Sequence, residues 1–221
     1  MATISKENYL KAIYGLAKRN GAIVPSSSLA KELGVTNAAI SEMAKKLNKD
    51  GYVEYKKYKG IKILEKGRTL AVNVLRKHRL WELFLIKTLG LHWGEVHPEA
   101  EKLEHCTTDV LIDRIDEFLN FPTSDPHGAP IPNKDGNYRS ETNDIPMHEC
   151  IISKKYEISR VNDRNPDLIK YLSQINISLN KQIKIIDKLS FDSSVIIEID
   201  KIRHSLSEKL VNNIYISEIE G

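Results

Sequence analysis

The sequence predicts a mainly α-helical chain with small β additions, and three observations carry that prediction. Apolar residues recur at helical spacing through most of the chain as far as Leu119. Two short β-rich runs near positions 52–64 interrupt them. A proline-rich break from Phe121 to Pro132 is followed by short runs rich in Ile, Val and Tyr, the pattern of a small antiparallel barrel. With 221 residues the chain is long enough for one large domain or two to three small ones. Its net charge of +3 makes no global case for nucleic acid, so only a local basic surface would count. Cys106 and Cys150 are too few for a disulfide framework and are read as reduced thiols. No apolar run approaches the roughly 18 residues that span a bilayer, and the N-terminus lacks a signal peptide's apolar core. A cytoplasmic chain with no membrane partner is expected.

Taken in order, Ser5 can cap a first helix whose apolar positions Tyr9, Leu10, Ile13, Tyr14, Leu16 and Ala17 end near Asn20-Gly21. After Pro25, Ser26 to Ser28 can cap a short helix, Leu29 to Leu33, which Gly34 stops. Val35-Thr36-Asn37 opens another, with Ile40, Met43, Ala44 and Leu47 on its apolar side and Asp50-Gly51 at its end. Two short helices joined by a tight turn containing glycine make a helix-turn-helix pattern. Tyr52 to Lys56 and Ile61 to Leu64 then read as a hairpin through Lys57-Tyr58-Lys59-Gly60, a wing after a recognition helix.

The positive charge missing from the global balance gathers here. Lys45, Lys46, Lys49, Lys56, Lys57, Lys59, Lys62 and Lys66 face only Asp50, Glu54 and Glu65. Thr36, Asn37, Ala38 and Ser41 are the candidates for base edges, with Lys45, Lys57 and Lys59 positioned for phosphates. Helix-turn-helix patterns also serve as plain structural units, but the basic wing favours double-stranded DNA as partner.

A long amphipathic helix is expected from Thr69 to Leu89 through Val72, Leu75, Leu80, Leu83, Phe84 and Ile86, ending at Gly90. A second is expected from about Pro98 to Leu119, with Leu103, Val110, Leu111, Ile115 and Phe118 as its buried stripe. Both exceed what a winged helix needs for its own core, so they are assigned to a homodimer interface that would present two recognition helices to a palindromic operator. Glu101, Glu104 and His105 stand at i, i+3 and i+4, which puts two carboxylates and an imidazole on one helix face. His78 and Glu82 are also one turn apart, and His97 precedes Pro98 at a helix entrance. Taken alone, the 96–105 stretch favours a solvated helix face, because glutamates are good helix formers. Like charges one turn apart repel unless a cation relieves them.

Asn133 to Asp144 is polar and turn-prone, so 123–147 reads as a linker from which Asp125 and His127 could still reach the helices. Strands are expected at Lys155 to Val161, Gln182 to Asp187, Val195 to Ile199 and Ile214 to Ile219. One helix interrupts them, capped by Asn165 with Pro166 at its first position.

Several motifs then line up in one order: Tyr9-Leu10-Lys11-Ala12-Ile13-Tyr14, Arg76-Lys77-His78-Arg79-Leu80, and His97-Pro98-Glu99-Ala100-Glu101 through Glu104-His105. Asp125-Pro126-His127-Gly128, Ile131-Pro132 and Arg160-Val161-Asn162-Asp163 follow. In these the chain resembles, over essentially its whole length, the metal-dependent transcriptional repressors of the diphtheria toxin repressor and manganese transport regulator type. The resemblance implies a winged-helix DNA-binding domain at 1–70, a helical metal-binding and dimerisation domain at 71–122, and an SH3-like, FeoA-like domain at 148–221. It implies one metal site made by Asn8, Glu101, Glu104 and His105. A neighbouring site would use His78, Glu82, Asp125, His127 and Asp163, with His97 at a position that iron-responsive relatives use as an ancillary ligand. Where those relatives carry Cys, this chain has Glu101. Where they carry Met, or the manganese regulators Asp, it has Asn8; position 125, often Cys in manganese regulators, is Asp.

Oxygen and imidazole ligands without thiolate or thioether lean towards Mn(II), with Fe(II) as the alternative. The implied function is a repressor whose operator binding is enabled by that metal and which controls metal homeostasis. Two other classes compete. A metal hydrolase using Glu101, Glu104 and His105 lacks the two histidines around a glutamate of the zincin arrangement, and no phosphate loop or activated nucleophile is present, so no enzyme is expected. A winged-helix regulator triggered by a small molecule would leave the carboxylates merely solvated, and metal uptake by the purified chain separates it from the metal reading.

Overall fold

A computed structural model of the chain describes residues 2–140, 143–163 and 165–219. Two compact units emerge, each assembled from separated stretches: Met1–His78 with Glu101–Arg114 and Pro132–Asn137, and Arg79–Ala100 with Ile115–Ile131 and Tyr138–Gly221.

The first unit begins with α1 (Ala2–Asn20), which starts ahead of the Ser5 expected to cap it. Its Leu10 and Ile13 are fully buried, together with Leu29, Ile40, Leu47 and Ile61 from the elements that follow, each such side chain contributing about 1.5–3 kcal/mol. α2 (Ser26–Leu33) opens directly after Pro25, so the three serines form its first turn instead of capping it. Gly34 then takes a left-handed φ of 64°, which an L side chain would resist, and the chain turns into α3 (Asn37–Lys49). Thr36 caps α3 through a hydrogen bond of 3.2 Å from the Ala39 amide to its Oγ1.

The wing is β2 (Val53–Lys56) and β3 (Gly60–Ile63), paired from Val53↔Ile63 to Lys56↔Gly60. A third strand, β1 (Ile23–Val24), pairs with β3 and was not expected. Two residues carry too little alternation to be seen in sequence.

α4 (Glu65–Leu89) is one continuous helix that buries Val72, Val74, Leu80, Leu83 and Leu85. The single helix expected from Pro98 to Leu119 is two, α5 (Val96–Cys106) and α6 (Asp109–Phe118). Threonine hydroxyls make the break. Thr107 Oγ1 donates back to the Leu103 carbonyl at 2.6 Å, and Thr108 Oγ1 accepts from the Leu111 amide at 3.3 Å, restarting the helix. The restart changes the buried face. Ile112 and Ile115 are buried, Leu103 is half-buried, and Val110, Leu111 and Phe118, expected inside, are exposed.

In the second unit, strands β4 (Ile145–Pro146), β5 (Lys155–Val161), β6 (Gln182–Lys188), β7 (Val195–Ile199), β8 (Ile202–Leu206) and β9 (Ile214–Glu218) form one antiparallel sheet in the order β4-β9-β5-β6-β7-β8. Alternation puts Tyr156, Ile158, Ile185, Ile197 and Ile216 into its core. α7 (Pro166–Gln174) adds Leu168, Ile169 and Leu172, and Asn165 caps it by accepting from the Asp167 amide at 3.0 Å. The short α8 (Glu208–Val211) precedes β9. Among the described residues no helix is long and apolar enough to cross a membrane.

Candidate metal centre

One cluster lies within the first unit. α1 offers Glu7, Asn8 and Lys11, and α5 offers Glu101, Glu104 and His105, the last three sharing a face because they are spaced by one turn. Glu104 is completely buried, and its carboxylate is the hub: Lys11 Nζ reaches Oε1 at 2.6 Å and His78 Nδ1 reaches Oε2 at 2.6 Å. The same Lys11 Nζ lies 2.6 Å from Glu101 Oε1. His105 Nδ1 meets Glu7 Oε2 at 2.6 Å, and a carboxylate can only accept, so the proton sits on Nδ1. His105 Nε2 is a buried atom 3.3 Å from Glu104 Oε1 without a hydrogen bond to it. Asn8 Oδ1 is likewise buried with no hydrogen-bond partner. Among the described residues, the ligand atoms in this cluster that all lie within 4.8 Å of one another are those of His78, Glu101 and Glu104, a group that could hold a divalent cation.

A second cluster belongs to the other unit. It gathers Glu82, Asp125, His127 and Asp163, whose ligand atoms lie within 4.8 Å of one another. Asp125 and His127 sit in a tight turn held by Asp125 Oδ1, which accepts from the amides of His127 at 2.8 Å and Ala129 at 2.9 Å. Gly128 closes that turn at φ +84°, where an added Cβ would lie 2.0 Å from the Ser159 carbonyl oxygen. Asp125 and His127, the two residues of this stretch expected to reach inward, are both buried. His127 Nε2 lies 3.0 Å from the Trp93 carbonyl, and its ring stacks on Trp93 at 5.6 Å. With Nε2 donating, Nδ1 faces Glu82 Oε2 and Asp163 Oδ2, each at 3.7 Å and too far to hydrogen-bond. Asp125 Oδ2 is also buried with no hydrogen-bond partner, 3.5 Å from Arg79 Nε. His97 joins this group through Glu82 Oε1 at 3.1 Å and Asp163 Oδ2 at 3.5 Å. His78 directs Nδ1 to Glu104, and a ligand atom of its ring also lies within 4.8 Å of those of Glu82, His97 and Asp163.

In the second cluster Asp125 and His127 both hold protons more tightly. Burial, reinforced by Glu82, pushes the Asp125 carboxyl up to about 7 against the pull of Arg79. Burial would lower His127, but Glu82, Asp163 and Asp125 outweigh it and raise the imidazole to about 9. Both groups bind protons more tightly folded than unfolded. The stabilisation from His127 is fully present below its ordinary 6.5 and is lost as pH rises through about 9. That from Asp125 is present below 3.8 and is lost as pH rises through about 7. For His127 the change is about 3 kcal/mol, so the metal-free chain should melt several degrees lower at pH 9 than at pH 6. Calorimetry in chelator checks this; a melting temperature that is flat or rising over that interval contradicts it. Added Mn(II) should raise the melting temperature more at pH 8 than at pH 6, because His127 Nδ1 must lose its proton to ligate.

The DNA-binding candidates belong to α3, the residue before it and the wing. Thr36, Asn37, Ala38 and Lys45 on or next to α3 are exposed, as are Lys57 and Lys59 on the wing, and Ser41 is half-buried. The Thr36 hydroxyl is occupied as the helix cap, which leaves its methyl for a thymine contact. Sequence reasoning missed Tyr58, which projects from the wing tip 93% exposed with Lys57 Nζ 5.0 Å above its ring. It also missed Glu7 and Lys11. Their i, i+4 spacing reads as an ordinary surface ion pair, yet each is bound to α5 instead.

The family model of the iron dependent repressor N-terminal DNA binding domain matches residues 1–61, that of the iron dependent repressor metal binding and dimerisation domain matches 64–133, and the FeoA domain matches 145–218. The iron-dependent repressor IdeR of Mycobacterium tuberculosis is 36% identical over 126 residues, 57% of this chain and 54% of its own length, so the chain spans about half of that relative. A solved manganese-dependent transcriptional repressor in complex with manganese is 31% identical, with a TM-score of 0.89 over 97% of this chain and 100% of its own. ScaR with bound zinc is 32% identical, with a TM-score of 0.85 over 97% and 99%. Two carboxylate–imidazole clusters, a basic winged helix and a FeoA-type β-domain thus recur together along one chain, which belongs to the family of iron- and manganese-dependent transcriptional repressors of the diphtheria toxin repressor type.

Proposed function

We propose that this chain is a metal-responsive repressor that binds a palindromic operator as a homodimer in the cytoplasm, with Mn(II) as the preferred effector and Fe(II) as the alternative. The observation that carries the reading is the pairing of partnerless buried donor atoms, Asn8 Oδ1 and His105 Nε2, with two carboxylates on the same unit as the basic winged helix. Asn8, Glu101, Glu104 and His105 would hold one ion. Glu82, Asp125, His127 and Asp163 would hold a second, with His97 beside it. Oxygen and imidazole donors without sulfur favour Mn(II) by hardness, although the Irving–Williams order gives later metals the higher raw affinity. Functionally the chain divides at 1–70, 71–122, 123–147 and 148–221.

A bound divalent ion would supply the positive charge that the converging carboxylates lack. Asn8 rides on α1, which packs against α2 and β3, whereas Glu101, Glu104 and His105 ride on α5. Drawing Asn8 towards α5 therefore sets the posture of the helix-turn-helix. His105 is oriented by Glu7, and Glu104 by His78, so the donors are held in place before the ion arrives. Exposed Val110, Leu111 and Phe118 on α6 supply apolar area suited to a symmetric dimer.

A coupling of about 1–3 kcal/mol between metal and DNA would tighten operator binding about 5- to 150-fold. Fluorescence anisotropy of a labelled promoter fragment, with Mn(II) and with chelator, should show that difference at constant ionic strength. Equal affinity in both conditions overturns the reading.

A further inference from the structure

Building on the metal reading, we propose that Lys11 is a built-in cation that holds the Glu101–Glu104 pair in the metal-free chain and must withdraw before a divalent ion can use both carboxylates. Lys11 thereby sets the metal concentration at which the chain responds. Its Nζ lies 2.6 Å from Glu101 Oε1 and 2.6 Å from Glu104 Oε1, so one ammonium bridges both oxygens. Carboxylate oxygens hold divalent first-row ions at about 2.0–2.2 Å. An ion at that distance from the same two oxygens would sit against the ammonium, and Glu104 is fully buried, so water screens the repulsion poorly. The two cations compete for one place.

The exchange is mechanically cheap. Lys11 keeps 17% of its side chain exposed and its stem is flexible, so the head group can swing outward without unpacking α1. Asn8, three residues earlier on the same helix, supplies a neutral oxygen and adds no charge to offset the loss of the ammonium's partners. In the metal-free chain the Lys11 bridge already fastens α1 to α5, so the ion replaces one cross-link by another of higher charge.

The test is Mn(II) titration by calorimetry of the full chain carrying Asp163→Ala, so that the first cluster is read alone, with and without Lys11→Met. Met matches the lysine in bulk but not in charge. The expected result is Mn(II) binding at least about tenfold tighter, about 1.4 kcal/mol, in the Lys11→Met chain, with a lower melting temperature in chelator. Lys11→Arg should keep affinity near that of lysine, and Lys11→Gln serves if the methionine variant does not fold. Equal or weaker Mn(II) binding after Lys11→Met or Lys11→Gln overturns the inference while leaving the metal reading intact. No Mn(II) binding by any of these chains overturns both.

Discussion

Glu101→Ala is expected to abolish the metal response of operator binding while leaving salt-sensitive, non-specific DNA binding intact. Glu101 is the more exposed of the two carboxylates; it shares Lys11 and approaches His78 Nδ1 at 3.8 Å. Removing it leaves Lys11 paired with Glu104, so the unit should fold. Losing partners that merely orient ligands costs about 10–100-fold in metal affinity, and losing a direct carboxylate ligand should cost at least as much. The wing and α3 lie elsewhere in the unit, so phosphate contacts and their salt dependence persist. Anisotropy against a specific and a scrambled duplex, each across a Mn(II) series, makes the comparison. A Glu101→Ala chain that still gains affinity with Mn(II) at the concentration that activates the original chain would remove Glu101 from the site.

Glu104→Ala is a poorer probe of the same question. It would strand Lys11 and His78 around a buried hole, and removing one partner of a buried ion pair typically costs about 3–5 kcal/mol. A lost response there would confuse unfolding with lost ligation.

What could be read in the sequence followed periodicity and short-range chemistry. The helix-turn-helix was legible because Gly34, Thr36 and the 40-43-44-47 stripe are local signals, and they sit where α2 turns into α3. β5 was legible because Tyr156 and Ile158 alternate into the core and Val161 closes the run after a bulge between Ile158 and Arg160. β8 was not, since Arg203, His204 and Ser205 lack an apolar face and the strand is held by pairing with β7. The α5–α6 break turned on two threonine hydroxyls, and reading through it carried Val110 and Phe118 to the wrong side of the helix. Ligand candidates could be named by type and by resemblance, but their grouping depended on distant contacts. His78 lies 26 positions from its hydrogen-bond partner Glu104, and Lys11 lies 90 from Glu101, separations that no helical period encodes.

Gly128→Ala should damage the second cluster more than substitution of any single ligand in it, because it breaks the turn that delivers two of them. The φ of +84° is strained for alanine, and the added Cβ would fall 2.0 Å from Ser159 O and 2.9 Å from Arg160 Cα, both backbone atoms of the second unit. Relief requires the 125–129 turn to move away from β5, where the Val161 amide donates to the His127 carbonyl at 2.9 Å. That motion drags His127 off the Trp93 carbonyl and loosens the amides that fix Asp125. Strain and lost hydrogen bonds together suggest a loss of about 2–4 kcal/mol, or several degrees in melting temperature. Metal stoichiometry should fall from two Mn(II) per chain to one, with the first cluster retained, since Asn8, Glu101, Glu104 and His105 belong to the other unit. Calorimetric melting and Mn(II) titration on the same preparation read both effects. An unchanged melting temperature with two ions still bound would show that the turn tolerates a side chain and does not set the geometry of Asp125 and His127.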